Sequence, residues 1–287
     1  MGINVEKTNS IINELTKKIN DPLYFSESAV NYFERAMLYF VLGEYKLALD
    51  DISVSLSFSP NDPLLHVQKG VILHAYGELK DAILEYDKVL EIDPTFKNVK
   101  ENKSFLLSQI ESLKELVSLS KIMVDNPHDF SLYYERGCLY DDLFDYEKGE
   151  SDLTMCINLR PTYPPAYNAR GVIYSKLKKY KDALKDFDAA IALDSHYEEA
   201  YLNKVNIYKA VYNDEKRLET INKLIEKNPK SVVGYYEKGI YYKELKNIKE
   251  AITFFQKSIE ISPEFKKAIN ELKDLNELMI NNELIEE

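Results

Sequence analysis

The chain has 287 residues, of which 45% are hydrophobic and 30% charged, and its formal charge is −11. That composition belongs to a folded globular chain of one or two domains and excludes a disordered polymer. The acidic balance repels phosphate backbones and anionic lipid faces, so it argues against nucleic acid or a membrane as partner and favours cationic or neutral ones.

Residues 1–28 are predicted to hold an N-terminal capping helix, because Ile11, Ile12, Leu15 and Ile19 are spaced for one apolar face. From there the chain repeats itself at a 34-residue interval: Ala36 with Gly70, Tyr45 with Leu79, Ala48 with Ala82 and Pro60 with Pro94. These pairs define units 29–62 and 63–96. The next stretch, 97–129, is one residue short and keeps mainly Pro127. With neither Gly nor Pro between Thr95 and Asn126, its two helices either run together or turn loosely near Ser108 to Ser112. A drifted repeat with ordinary packing and a hinge both fit.

The lattice resumes in a new phase. Gly137, Gly171 and Gly239 occupy its nodes, Val205 stands at the remaining one, and Tyr140, Tyr174 and Tyr242 follow each Gly by three residues. Tyr133, Tyr167, Tyr201 and Tyr235 precede the nodes by four. The units are 130–163, 164–197, 198–231 and 232–265, the third of them degenerate because Val205 and Arg217 fill its small positions. Residues 266–287 are expected to form a C-terminal capping helix and tail, with Ile269, Leu272, Leu275 and Leu278 or Met279 on one face.

Within each unit the apolar spacing is helical twice over. Tyr167, Arg170, Gly171 and Tyr174 recur at three and four residues, and after the polar KLKK turn so do Tyr180, Ala183, Leu184, Phe187, Ala190 and Ile191. The unit is therefore a helical hairpin. Gly171 and Ala183 are small where the two helices cross, and prolines such as Pro94, Pro161, Pro229 and Pro263 end the second helix. A fixed period of this length marks stacked hairpins that bury their apolar faces against one another.

Tyr167, Gly171, Tyr174, Ala183, Phe187 and Ala190 follow the aromatic, Gly, Tyr, Ala, Phe, Ala order of a tetratricopeptide repeat, and the array resembles that family over about residues 29–265. Ser195 departs from the pattern where proline is usual. The resemblance implies an all-α, right-handed superhelical solenoid of about seven antiparallel hairpins with a cap at each end. It also implies a concave groove, lined by first helices, that receives a peptide or helix of a partner protein.

On that basis the groove in the first two units presents Phe33, Met37, Phe40, Val67 and Val71, an apolar stripe that either takes a partner or is buried against the N-terminal helix. Tyr134, Glu135, Asp141 and Asp142, beside Cys138, form an acidic zone suited to Lys or Arg. Asn168, Asn203, Asn206, Lys209, Tyr236 and Lys243 follow, the asparagines either pairing with an extended peptide backbone or simply solvated. The family's cationic clamp for chaperone C-terminal tails is not reproduced: its positions in units four to six hold Tyr134, Cys138, Ala169, Glu199 and Asn203. That partner is disfavoured.

No catalytic motif, phosphate loop or metal spacing is present, the four histidines are scattered, and no cofactor is implied, so the chain does not read as an enzyme. Cys138 and Cys156 are too few for a disulfide framework and suit a reduced, cytoplasmic setting. The N-terminus shows no secretory signal, and no run of 18 apolar residues offers a membrane span. The expected function is an interaction scaffold. A regulatory peptide or small-ligand sensor on the same array and, further off, an RNA-reading repeat are the alternatives, and self-association is open.

Overall fold

A computed structural model describes residues 4–283, which form α-helices and one 3₁₀ segment, with no strand among them. Contacts divide the chain between Glu115 and Leu116 into two compact units. The first begins with α1 (Val5–Asn20) and the 3₁₀ turn Pro22–Glu27, then pairs α2 (Ser28–Val41) with α3 (Tyr45–Phe58) and α4 (Pro63–Tyr76) with α5 (Leu79–Ile92). The second pairs α7 (Phe130–Asp142) with α8 (Tyr146–Leu159), α9 (Pro164–Lys176) with α10 (Tyr180–Leu193), α11 (Glu198–Ala210) with α12 (Asp214–Lys227), and α13 (Val232–Glu244) with α14 (Ile248–Ile261). It ends on α15 (Lys266–Glu283). The division falls within α6 (Val99–Asp125), a single unbroken helix where the repeat lattice is short. Of the two outcomes open to that stretch, the helices run together, so the pairs number six among the described residues.

Local chemistry sets the helix ends. Asp62, Asp129 and Ser231 accept from the backbone N–H of Leu64, Ser131 and Gly234, and Pro63 and Pro164 stand in first turns where no N–H is needed. Each first helix closes on a residue in the left-handed region: Gly43 and Gly77 in the first unit, but Phe144, Lys178, Tyr212 and Lys246 in the second. The following amide then reaches back six residues inclusive, as Lys179 N–H to the Tyr174 carbonyl at 2.8 Å, which satisfies carbonyls the helix end would leave unpaired.

The hairpin core is built on a small-over-large fit. A Cβ on Gly171 would lie 2.6 Å from Phe187 Cε1, and Gly70 and Gly239 stand equally close to the rings of Tyr86 and Phe255. Ala48, Ala82, Ala183 and Ala251 are fully buried at the matching place on the second helices. A polar latch lies one residue away. Arg35, Arg136 and Arg170 grip Asp51, Asp152 and Asp186 side-on, Nε to one carboxylate oxygen and Nη2 to the other, at 2.6–2.8 Å. Buried bidentate pairs of this kind fix register as well as contributing energy.

The end helices extend the same packing. Thr16 on α1 accepts from Arg35 Nη1 at 2.9 Å, as Thr154 on α8 accepts from Arg170 Nη1 at 3.0 Å, so α1 fills the role of a preceding second helix. Two predicted face residues are rotated out: Ile12 and Leu15 are buried but Ile11 is exposed, and on α15 Ala268 and Leu275 are buried while Ile269 is exposed. In each case the helix turns by one position to seat a neighbouring side chain. The side chains of Leu278 and Met279 lie outside the described residues.

Candidate functional site: the inner face of the second unit

In the second unit α7 touches α9 and α9 touches α11, in addition to their own partners. The first helices are therefore the closely spaced, inner row. Side chains bridge this row from one repeat to the next. Lys176 Nζ donates to both Asp141 oxygens at 2.7 and 2.8 Å, Asn203 Nδ2 donates to Asn168 Oδ1 at 2.9 Å, Lys209 Nζ to Glu244 at 2.7 Å, and Lys243 Nζ to Glu271 on α15 at 2.5 Å. The lysines that bridge this row are thus occupied by its own carboxylates, while Arg160 at the end of α8 lies over the Phe130 and Tyr163 rings at 4.5 and 5.9 Å from their centroids.

Three tyrosines gather beside α7. Tyr163 sets its edge against Tyr134 at 5.3 Å and against Phe130 at 5.2 Å between centroids. Tyr197, at the start of α11, is coupled to Tyr163, Glu199 and Asn168; burial first, then the Glu199 carboxylate, pushes its hydroxyl up to about 12, against the lowering hydrogen bond with Asn168. Burial also raises Tyr134, with Cys138 adding to the effect. The Cys138 thiol is raised by burial, which outweighs the lowering hydrogen bond with the Tyr134 hydroxyl, and Asp141, Asp142 and Glu135 each add a smaller raise. Cys156 is pushed up to about 11 by burial. Both thiols are held in the protonated form, opposite to what a nucleophile or redox sensor needs.

The sequence-predicted residues separate into three groups. Tyr134, Glu135, Asp141 and Asp142 come together on one inner surface, where Glu135 and Asp142 form no ion pair among the described residues. Asn168, Asn203, Lys209 and Lys243 are spent largely on the bridges above, Asn206 is exposed, and Tyr236 packs against Phe255 and Phe265 at 5.8 and 5.5 Å. In the first unit Phe33, Met37 and Phe40 are half-buried against the core around Ala36, Ala48 and Ile52, and Val67 against that around Ala82 and Tyr86. Val71 is half-buried. Sequence reasoning missed Tyr163 and Tyr197. Their signal was available, since they sit one period apart, each just before a first helix.

No helix among the described residues is long and apolar enough to cross a membrane, and no group of His, Cys, Asp and Glu there is arranged to hold a metal ion. The fold is an all-α helical-repeat solenoid, a class that serves as a protein-interaction scaffold. Residues 130–163, 164–197 and 233–265 match the tetratricopeptide repeat, so the second unit carries repeats of that family. Among curated proteins, human tetratricopeptide repeat protein 13 is 33% identical over 85 residues, which are 30% of this chain and 9% of that protein. The chain thus spans only a small part of that relative's length. Among solved structures, yeast Tom70 is 16% identical with a TM-score of 0.52, covering 97% of this chain and 60% of that one. A tetratricopeptide repeat protein from Parabacteroides merdae is 18% identical with a TM-score of 0.46, covering 87% of this chain and 99% of that one. These likenesses concern the fold.

Proposed function

We propose that the inner face of the second unit binds an extended basic segment of a partner protein. One of its lysine or arginine side chains lies against Tyr134 and Tyr197, within the field of Glu135 and Glu199 and beside the Tyr163 ring that Arg160 covers. The observation that carries this reading is an imbalance of charge. Lys176, Lys209 and Lys243 are each neutralised by a neighbouring repeat, whereas Glu135, Asp142 and Glu199 form no ion pair among the described residues. The face therefore presents net negative potential beside aromatic rings, which favours a cation both electrostatically and wherever it meets a ring face. Asn206 and the Asn203 carbonyl oxygen remain to pair with a peptide backbone.

Fluorescence anisotropy with labelled lysine-rich, glutamate-rich and neutral peptides of equal length tests this directly. Selective capture of the lysine-rich peptide is expected, weakening with salt and falling roughly tenfold or more in a Glu135→Lys, Glu199→Lys variant. Equal binding of all three peptides, or no loss on charge reversal, would overturn the reading.

A further inference from the structure

The hairpin α11–α12 breaks the pattern of its neighbours at one point. Where the other second helices bury a small residue, α12 buries Arg217, which is 2% exposed. Its Nη1 donates to Glu244, and its guanidinium lies 5.5 Å from the Tyr241 ring centroid. Its Nε–H and Nη2–H have no acceptor among the described residues. That pair of donors is the side-on fork with which Arg35, Arg136 and Arg170 each hold an aspartate. The aspartate position of this hairpin holds Thr220, whose hydroxyl is committed to the Lys216 carbonyl at 2.7 Å.

Arg217 also forms part of the wall of an open cavity of about 480 Å³, together with Lys209, Tyr212, Asp214, Tyr241 and Glu244. Tyr212, 91% exposed in the hairpin turn, stands at its mouth. Glu244 is shared by Lys209 and Arg217 and is itself 42% exposed, so its carboxylate is the exchangeable member of the cluster. Two cations thus bond to one half-exposed carboxylate, with the charges of Glu237 and Asp214 nearby, and Arg217 keeps its planar fork unpaired. Buried donors in that condition favour any acceptor that reaches them, and a guanidinium fork matches a carboxylate in plane and spacing.

We infer that Arg217 and Lys209 form a carboxylate-binding site in this cavity, with Glu244 as the internal competitor that an incoming carboxylate displaces. Arg217 then turns its Nε–Nη2 fork onto the incoming group while Glu244 passes to solvent. The site joins Arg217 on α12 to the Lys209–Glu244 bridge between α11 and α13, and it includes neither the tyrosine cluster nor the chaperone-tail positions. The carboxylate is supplied either by a free small acid or by an acidic side chain of a partner chain.

The test uses the full chain labelled with ¹⁵N, whose five arginines give separable Nε–H signals. Sodium acetate is titrated against sodium chloride at equal ionic strength, and in a second arm a capped peptide bearing one glutamate replaces acetate. The Arg217 signal is expected to shift saturably with the carboxylate and not with chloride, while Arg35, Arg136 and Arg170, already held by aspartate, stay in place. Glu244→Gln removes the competitor and is expected to tighten acetate roughly fivefold to tenfold. Tighter binding of the peptide than of acetate assigns the site to a partner's acidic side chain, and the reverse to a free acid. An Arg217 signal that does not saturate, that moves equally in chloride, or that responds with unchanged affinity in Glu244→Gln would overturn the inference. Neither result depends on the basic-peptide reading, which is tested by Glu135 and Glu199.

Discussion

Two neighbouring hairpins of the second unit solve one packing problem in different ways. In α9–α10 a glycine, Gly171, lies under a large ring, Phe187, and Arg170 is latched to Asp186 within the hairpin. In α11–α12 the corresponding pair is Val205 and Ile221, both buried: the volume that glycine gives up and phenylalanine takes has been shared between two middling side chains. The latch has moved as well. Lys204 stands where Arg170 does, and it reaches back to Asp188 on α10 instead of across its own hairpin, where Thr220 offers no charge. The crossing therefore tolerates more than one division of volume between its two helices, and in both of these hairpins the first-helix cation keeps an ion pair, whichever hairpin supplies the acid.

The comparison breaks most visibly at the glycine. Gly171→Val places methyl groups where a Cβ alone already meets Phe187, and we expect a loss of about 3 kcal/mol in urea denaturation. Adding Phe187→Ile recreates the Val205–Ile221 combination and is expected to recover more than half of that loss. If the double variant is no better than the single, shared volume is not what distinguishes the two hairpins. Next in size is the latch. Asp186→Ala strands the half-buried Arg170 with only Thr154 and the Tyr174 ring, at a cost of about 2 kcal/mol, whereas Thr220→Ala in the other hairpin costs under about 1 kcal/mol. Equal losses at the two sites would show that the latch contributes no more than a backbone-bonded hydroxyl.

Arg217 sharpens the contrast in the opposite sense. Arg217→Met keeps most of the side chain's volume and removes buried donors that lack acceptors, so it is expected to raise stability by about 1–2 kcal/mol, read from the urea midpoint at unchanged slope. A clear loss of stability would mean that the guanidinium is better satisfied than its unpaired fork implies.

These residues also show what the sequence made visible. The hairpins were legible because a Gly, a Tyr three residues on and an aromatic sixteen residues on are one helical face read twice, and that geometry is purely local. The latch was missed although in three hairpins an Arg stands one residue before the node and an Asp follows that Arg at a constant spacing of sixteen. Charged residues on helices usually face water, so without coordinates nothing marked these as buried. The bridges between repeats, such as Asn168 with Asn203, connect residues 35 apart and depend on how hairpins stack. Spacing named their faces but not their partners, so two amides read as either peptide-binding or solvated are found bonded to each other.

The smallest expected effects come from two glutamates with opposite shifts. Glu85 occupies the latch's acid position in α4–α5, and although burial pushes its carboxyl up, the hydrogen bonds from His66 and Lys88 with the charge of Lys69 outweigh this and hold it below 4.5. A lowered carboxyl adds stability that is fully present above the unfolded value of 4.5 and is lost as pH falls through the folded one. Glu237 on α13 is raised, because burial outweighs the attraction of Arg217 and Lys209. Its ionised form therefore opposes folding at neutral pH, and that penalty fades as pH falls through the folded value toward 4.5. Glu85→Gln is accordingly expected to lower the urea midpoint near pH 7, and Glu237→Gln to raise it, with both differences shrinking near pH 3. Midpoint changes of the same sign for the two variants, or differences that persist in acid, would show that the His66 and Lys88 contacts do not set the balance at Glu85, or that burial does not set it at Glu237.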